Sequence, residues 1–273
     1  MQHAHVNGVE LEYEVTGSGE PVLLISPVVA DGFRPLLSQR VLADHYRLIT
    51  YHKRGWLGST HTPAPVTICD HAADAAGLLT HLDLGPAHVA GHSSGAAVAL
   101  QLAISRPDLV HTLSLLELSL LSVPAAAAFF QKAGPAFQAY AAGHHETALA
   151  VFMCAVSGLE WNRCRALLED HVPGSLAQTL GDADTFFGIE LPALTQWVCG
   201  AEQASAVRQP VLSVVGSDTE PLWVEVAALL HSWFPEGEEC VIPGVGHLLH
   251  MQQPEPVARG LAGFFGRHPL AAA

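Results

Sequence analysis

The chain has 273 residues, 49% hydrophobic and 14% charged, with a formal net charge of −14. That balance belongs to a compact chain able to bury a sizeable core in one large domain, and it excludes a disordered one. Only 12 Lys and Arg stand against 26 Asp and Glu, which excludes a nucleic-acid binder, since phosphate contacts need clustered cations. The five cysteines, Cys69, Cys154, Cys164, Cys199 and Cys240, lack paired-ligand spacing. Their odd number fits packing residues in a reducing compartment better than a disulfide framework. No basic and apolar leader is visible, and no charge-free apolar run approaches the roughly 20 residues of a membrane span. The expected setting is cytoplasmic, without a membrane partner.

Asn7-Gly8 lies between alternating runs near 3–6 and 9–15, and this pair favours the positive φ angles of a hairpin turn. Beyond Gly17-Ser18-Gly19 the pattern changes to continuous apolar runs at 21–26, 46–51, 87–91, 109–117 and 210–216. Such runs suit parallel strands covered on both faces. Helical patterns fall between them near 35–44, 68–83, 94–105 and 221–233, and a last strand near 238–242 leads to a terminal helix after Pro256. The alternation predicts an α/β architecture. It is interrupted from about Ser122 to Ala206 by an Ala-, Phe- and Leu-rich stretch broken at Gly134-Pro135, Gly143, Gly158 and Pro173-Gly174. This reads as several short helices placed over the C-terminal edge of the sheet, where ligands bind in open α/β folds.

Two motifs carry chemistry. Gly91-His92-Ser93-Ser94-Gly95 is a G-x-S-x-G directly after the run AHVA and directly before AAVALQLAI. A sharp strand-to-helix turn there would expose the Ser93 oxygen, and the glycines would remove side chains from the crowded junction. Gly244-Val245-Gly246-His247 follows the short strand ECVIP. Imidazole is suited to taking and returning a proton near neutral pH. Position selects His247 among 17 histidines, with His250 as the neighbouring alternative.

With these elements in this order, the chain resembles the α/β-hydrolase superfamily over nearly its whole length. The run Tyr51-His52-Lys53-Arg54-Gly55-Trp56-Leu57-Gly58-Ser59 is similar to that family's D-x-R-G-x-G-x-S loop, with His52 in place of Asp. The resemblance implies a mostly parallel central sheet flanked by helices and carrying a helical cap. The core would comprise residues 1–121 and 207–273, with the cap at 122–206. It also implies a third catalytic member. Many members place an Asp in a G-x-x-D loop after the seventh strand, whereas this chain has Gly216-Ser217-Asp218-Thr219-Glu220, with Thr219 at the expected position. Others, haloalkane dehalogenases among them, place the acid after the sixth strand, where this chain has Glu117, 24 residues beyond Ser93. Glu117 is favoured and Asp218 stays open. The alternative roles are a buried salt bridge from Glu117 to Arg54, and an N-cap by Asp218 before Pro221.

An oxyanion hole needs two backbone N–H groups. The resemblance assigns one to Ser94, the residue after the nucleophile. The other normally follows a His-Gly pair, but this chain has Ser26-Pro27-Val28-Val29. Proline has no N–H, leaving Val28, or alternatively Val29, as donor.

The expected activity is that of a serine hydrolase, esterase-like, acting on an ester, lactone or related carbonyl of an apolar small molecule through an acyl-enzyme. Phe129, Phe130, Phe137, Met153, Trp161, Phe186, Phe187 and Trp197 are the candidates to line its pocket. No metal or organic cofactor is expected, and a homodimer is left open. Two alternatives are kept. One is carbon–carbon bond hydrolysis, perhydrolysis or non-hydrolytic tailoring by the same residues, and the other is a ligand-binding regulator with little turnover.

Overall fold

A computed structural model describes residues 1–63 and 65–271. Asn7 and Gly8 adopt φ of 48° and 77°, as a two-residue hairpin turn requires. They fold β1 (Gln2–Val6) back antiparallel onto β2 (Val9–Gly17). Six further strands follow: β3 (Glu20–Ile25), β4 (Tyr46–Tyr51), β5 (Ala87–His92), β6 (Val110–Leu116), β7 (Val211–Gly216) and β8 (Glu238–Ile242). The eight form one sheet in the order β1-β2-β4-β3-β5-β6-β7-β8. β2 runs antiparallel to β4, and every pairing from β4 to β8 is parallel.

The longer helices are α1 (Ile68–His81), α2 (Ser94–Ser105), α3 (Ala126–Ala141), α4 (His145–Ser157), α5 (Trp161–His171), α6 (Pro221–Trp233) and α7 (Pro254–Arg267). Alternate residues of a strand face opposite sides, so β3 feeds two cores at once. Leu23 and Ile25 pack in the layer holding α1, α2 and α6, while Val22 and Leu24 pack with Val257, Leu261 and Phe265 of α7. This double burial is why the strand is apolar without alternation. The start of α1 is fixed by a capping box, in which Asp70 N–H donates to Thr67 Oγ1 at 3.1 Å and Thr67 N–H donates to Asp70 Oδ2 at 2.8 Å. No described helix is long and apolar enough to cross a membrane.

Two expected elements differ. The helix near 35–44 is instead two single turns, Arg34–Leu37 and Arg40–Ala43. The Ser38 hydroxyl and Gln39 side-chain amide both donate to the Pro35 carbonyl, at 3.1 and 3.0 Å, and side chains that occupy a backbone acceptor compete with helix continuation. Conversely, Gly134-Pro135 does not end a helix, because α3 runs through it. Ala133 and Ala136 are buried on either side, and packing of that face outweighs a local breaker.

Between β6 and β7 the described residues 122–206 contain helices and no strand. α3, α4 and α5 are followed by short helices and a π-helical turn at Phe186–Glu190. The end of this insertion is fastened to the loop after β4. Thr185 Oγ1 donates to the Gly55 carbonyl at 2.7 Å, and Leu57 N–H donates to Asp182 at 2.9 Å. Lys53 and Glu190 form a buried ion pair, and Glu190 also accepts from Trp56 Nε1 at 2.7 Å and from Ser94 Oγ at 2.6 Å. Burial alone would push the Glu190 carboxyl up, but the Lys53 ammonium holds it below the usual carboxylate range. The carboxylate is therefore kept charged inside the protein by a cation and two further donors.

Lys53→Met should strand that carboxylate and cost about 3–5 kcal/mol in urea unfolding, and adding Glu190→Gln should recover more than half. A methyl on Gly95 would lie 2.0 Å from the Ile25 carbonyl oxygen, whereas one on Gly134 meets nothing within 4 Å. Gly95→Ala should therefore lose at least about 3 kcal/mol. Gly134→Ala, inside α3, should gain up to about 1 kcal/mol by the same measurement.

Candidate active site

β5 passes into α2 through Ser93 at φ 56° and ψ −118°, a left-handed angle that costs a residue with a Cβ of order 1–3 kcal/mol. Its surroundings hold it there. A Cβ on Gly91 would lie 2.2 Å from the Gly95 carbonyl oxygen, so neither flanking position admits a side chain. Ser93 N–H donates to the Leu116 carbonyl of β6 at 3.0 Å. The Ser94 N–H occupies the first position of α2, where no carbonyl four residues back belongs to the helix. The Ser94 side chain points away from the cavity described below, toward Lys53 and Glu190.

His247 arrives on the turn after β8. Its Nε2 lies 3.0 Å from Ser93 Oγ and its Nδ1 lies 2.7 Å from Glu117 Oε2. Trp223 of α6 stacks on the imidazole, with ring centroids 3.8 Å apart and planes 8° from parallel, and anchors its own N–H on the Val156 carbonyl at 3.1 Å. The ring plane is thereby fixed between an indole and a carboxylate.

Glu117 follows β6 and also lies in the left-handed region, at φ 42°. Its N–H continues the β6–β7 pairing to the Val214 carbonyl at 3.0 Å. Its two oxygens accept from Gly216 N–H at 2.9 Å and from the Thr219 hydroxyl at 3.1 Å. Thr219 is the residue standing where the G-x-x-D pattern has its acid. Here it supports a carboxylate supplied by the neighbouring strand.

Asp218, the alternative acid, is not brought to the imidazole. Its N–H donates to the Val245 carbonyl at 2.9 Å, and this turn leaves the carboxylate exposed, accepting from Ser217 Oγ at 2.7 Å. Nor does it cap α6, whose N-cap is Glu220. Arg54 pairs with Asp74 at 2.6 Å and not with Glu117. His250 is buried against His92 and Phe33, with ring centroids 4.2 and 5.8 Å away.

Burial sets the electrostatics of the site. It pushes Glu117 up to about 7, against the opposing bonds from Gly216 and Thr219, and pushes His247 down to about 3. His92 and His250 are driven well below their ordinary value, chiefly by burial, so the rings around His247 are neutral. His52, where the related loop pattern has Asp, bridges Glu12 at 2.6 Å and Asp31 at 3.2 Å. Burial disfavours its charge, but the two carboxylates prevail and raise its pKa. The ring joins β2 to the segment that follows Val28 and Val29.

Ser93 and His247 border a cavity of about 730 Å³, counting its mouth, in which no described lining residue is Asp, Glu, Lys or Arg. Of the expected lining residues, Phe129, Phe130, Phe137 and Met153 are present. Phe186 and Phe187 are instead buried in an aromatic core beneath it, where Phe186 meets Phe152 edge-on at 5.1 Å. Trp197 packs against the core with its N–H donating to Gln101 at 3.0 Å, and it and Trp161, on α5, lie off the cavity. Pro27, Val28 and Val29 border it from the loop after β3.

Phe152 and Val156 were missed, although they share with Met153 one face of α4 at helical spacing. Leu191, Leu194 and Trp223 had no local signal of their own. Ser119 was also missed. It lies two residues past Glu117, borders the cavity, and places its Oγ 3.0 Å from Ser93 Oγ.

Residues 27–254 match the family described as alpha/beta hydrolase fold. A Mycobacterium tuberculosis protein named "Putative non-heme bromoperoxidase BpoC" is 31% identical over 273 residues, covering 94% of this chain and 98% of its own. A thermophilic esterase from Thermogutta terrifontis superposes with a TM-score of 0.77 at 23% identity, covering 98% of this chain and 100% of that one. An enol-lactonase from Burkholderia xenovorans gives 0.74 at 17% identity, covering 97% and 100%. These two structures share the fold. With the eight-stranded sheet and the matched length taken together, the chain belongs to the alpha/beta hydrolase fold family.

Proposed function

We propose that this protein is a serine hydrolase that cleaves an ester, lactone or related carbonyl bond of an uncharged, largely apolar small molecule through an acyl-enzyme on Ser93. The observation that carries this reading is the chain of contacts from Ser93 Oγ to His247 Nε2 (3.0 Å) and from Nδ1 to Glu117 (2.7 Å), at the edge of a cavity without formal charge. With Nδ1–H donated to Glu117, Nε2 is the free lone pair that takes the Ser93 proton as Oγ attacks the carbonyl carbon. Glu117 and the stacked Trp223 then stabilise the imidazolium. The N–H groups of Ser94 and Val28 receive the oxyanion. His247 returns its proton to the leaving group, and water repeats the sequence to release the acid.

Short-chain p-nitrophenyl esters and a fluorophosphonate probe test this reading. Ser93→Ala should abolish labelling and lower kcat by at least about 10⁴-fold, Glu117→Gln should lower it by about 10³-fold or more, and Asp218→Asn should leave it within about threefold. Ligand-induced thermal stabilisation with no turnover and no labelling would sink the hydrolase and favour a ligand-binding regulator.

The pH dependence follows from the His247–Glu117 pair. Below the Glu117 value of about 7 the protonated carboxyl donates to Nδ1. The neutral imidazole then carries its own proton on Nε2 and has no lone pair facing Ser93, so kcat/KM should rise with pH and level off above about 7. The Thr219 bond favours the ionised carboxylate. Thr219→Val should therefore move the rising limb to higher pH by roughly half to one unit, the equivalent of a hydrogen bond worth about 1 kcal/mol.

A further inference from the structure

Ser119 sits on the short segment that also delivers Glu117, and the segment is tied to the elbow. Ser119 N–H donates to the Ser93 carbonyl at 3.1 Å, and Leu120 N–H closes a tight turn onto the Leu118 carbonyl at 3.0 Å. The Ser119 side chain is almost wholly buried, borders the cavity, and lies 3.0 Å from Ser93 Oγ. The direction of that hydrogen bond follows from counting protons. Ser93 has one hydroxyl proton, directed to His247 Nε2 at 3.0 Å, so the Ser119 hydroxyl is the donor and Ser93 Oγ accepts. The strand end that brings a carboxylate to one nitrogen of the imidazole therefore brings an O–H donor to the atom bonded at the other.

A donor held on Ser93 Oγ acts unequally on the two halves of the reaction. During attack it binds a lone pair of the nucleophile, which offsets what it gives to the developing alkoxide. Once Oγ is acylated the situation reverses, because Oγ is now the leaving group and negative charge grows on it as its bond to the acyl carbon breaks. A donor already in place at that atom needs no reorganisation.

Resting on the acyl-enzyme reading, we infer that Ser119 is a catalytic residue for deacylation, donating a hydrogen bond to Ser93 Oγ as that oxygen leaves the acyl group. The step balances as follows. Water oxygen bonds to the acyl carbon while His247 Nε2 takes one water proton. The acyl carbon–Oγ bond then breaks with its electron pair on Oγ. His247 passes the proton to Oγ, releasing the carboxylic acid and restoring Ser93. Ser119 keeps its own proton throughout.

The test separates formation of the acyl-enzyme from its decay. Acylation of the full chain is read from the rate of fluorophosphonate labelling and from the p-nitrophenolate burst, and deacylation from the loss of the acyl mass by intact-protein mass spectrometry. In Ser119→Ala, labelling should stay within about threefold of the original chain. Decay of the acyl-enzyme and kcat should both fall by about 10–100-fold, somewhat less than removal of an oxyanion-hole donor. KM should fall in proportion, and a burst approaching one equivalent per site should appear. Ser119→Thr, which keeps the hydroxyl, should restore most of the decay rate. Ser119→Cys, a near-isosteric but poor donor, should behave like the alanine variant and carries the test should that variant fold poorly. Unchanged decay in the Ala and Cys variants overturns the inference, as does a labelling rate that falls with kcat and leaves no burst. Failure of the original chain to label at Ser93 would instead overturn the acyl-enzyme reading beneath it.

Discussion

The close approach of β3, β5 and α2 at one corner governs the arrangement of the whole site. With Gly95 against the Ile25 carbonyl and Gly91 against the Gly95 carbonyl, the chain can pass from strand to helix only through a residue held at positive φ. Ser93 occupies that position. The strain is sustained because both neighbouring segments are buried and hydrogen-bonded on their own account, so relaxing the turn would disrupt the parallel sheet. The same corner exposes the Ser93 oxygen and leaves the first N–H of α2 without an internal acceptor.

Around that corner, the two buried carboxylates have both oxygens matched by donors. Glu117 spends both oxygens on His247, Gly216 and Thr219. Glu190 spends its own on Lys53, Trp56 and Ser94. A buried carboxylate is tolerable only when its lone pairs are matched in this way. The two sets flank the elbow from different sides. One positions the imidazole, and the other fixes the end of the helical insertion against the residue that follows Ser93. The insertion is thereby coupled to the elbow through a charged contact as well as through the apolar packing of its aromatic side chains.

The carboxylate that meets His247 comes from the end of β6 and not from the loop after β7. Glu117 turns the chain at φ 42° as it leaves β6, and two residues on, Ser119 lies beside Ser93. Thr219, in the loop after β7, donates its hydroxyl to that carboxylate.

The hairpin at Asn7-Gly8, the doubly buried strands and the strand-turn-helix around Ser93 were legible from sequence because each is dictated by neighbours along the chain: positive φ at a turn, continuous apolarity, glycine beside a crowded serine. The pairing of Ser93 with His247 was legible only through element order and family resemblance. Which carboxylate meets His247, which aromatic side chains face the cavity and that Ser119 touches Ser93 were settled by the tertiary structure. Asp218 and Glu117 are both acids at strand ends, and Phe186 and Phe130 are both phenylalanines in a helical stretch, so local chemistry treats each pair alike. What separates them is the pairing of β6 with β7 and the packing of the insertion onto Lys53 and Trp56, contacts between segments far apart in the chain whose geometry no local pattern encodes.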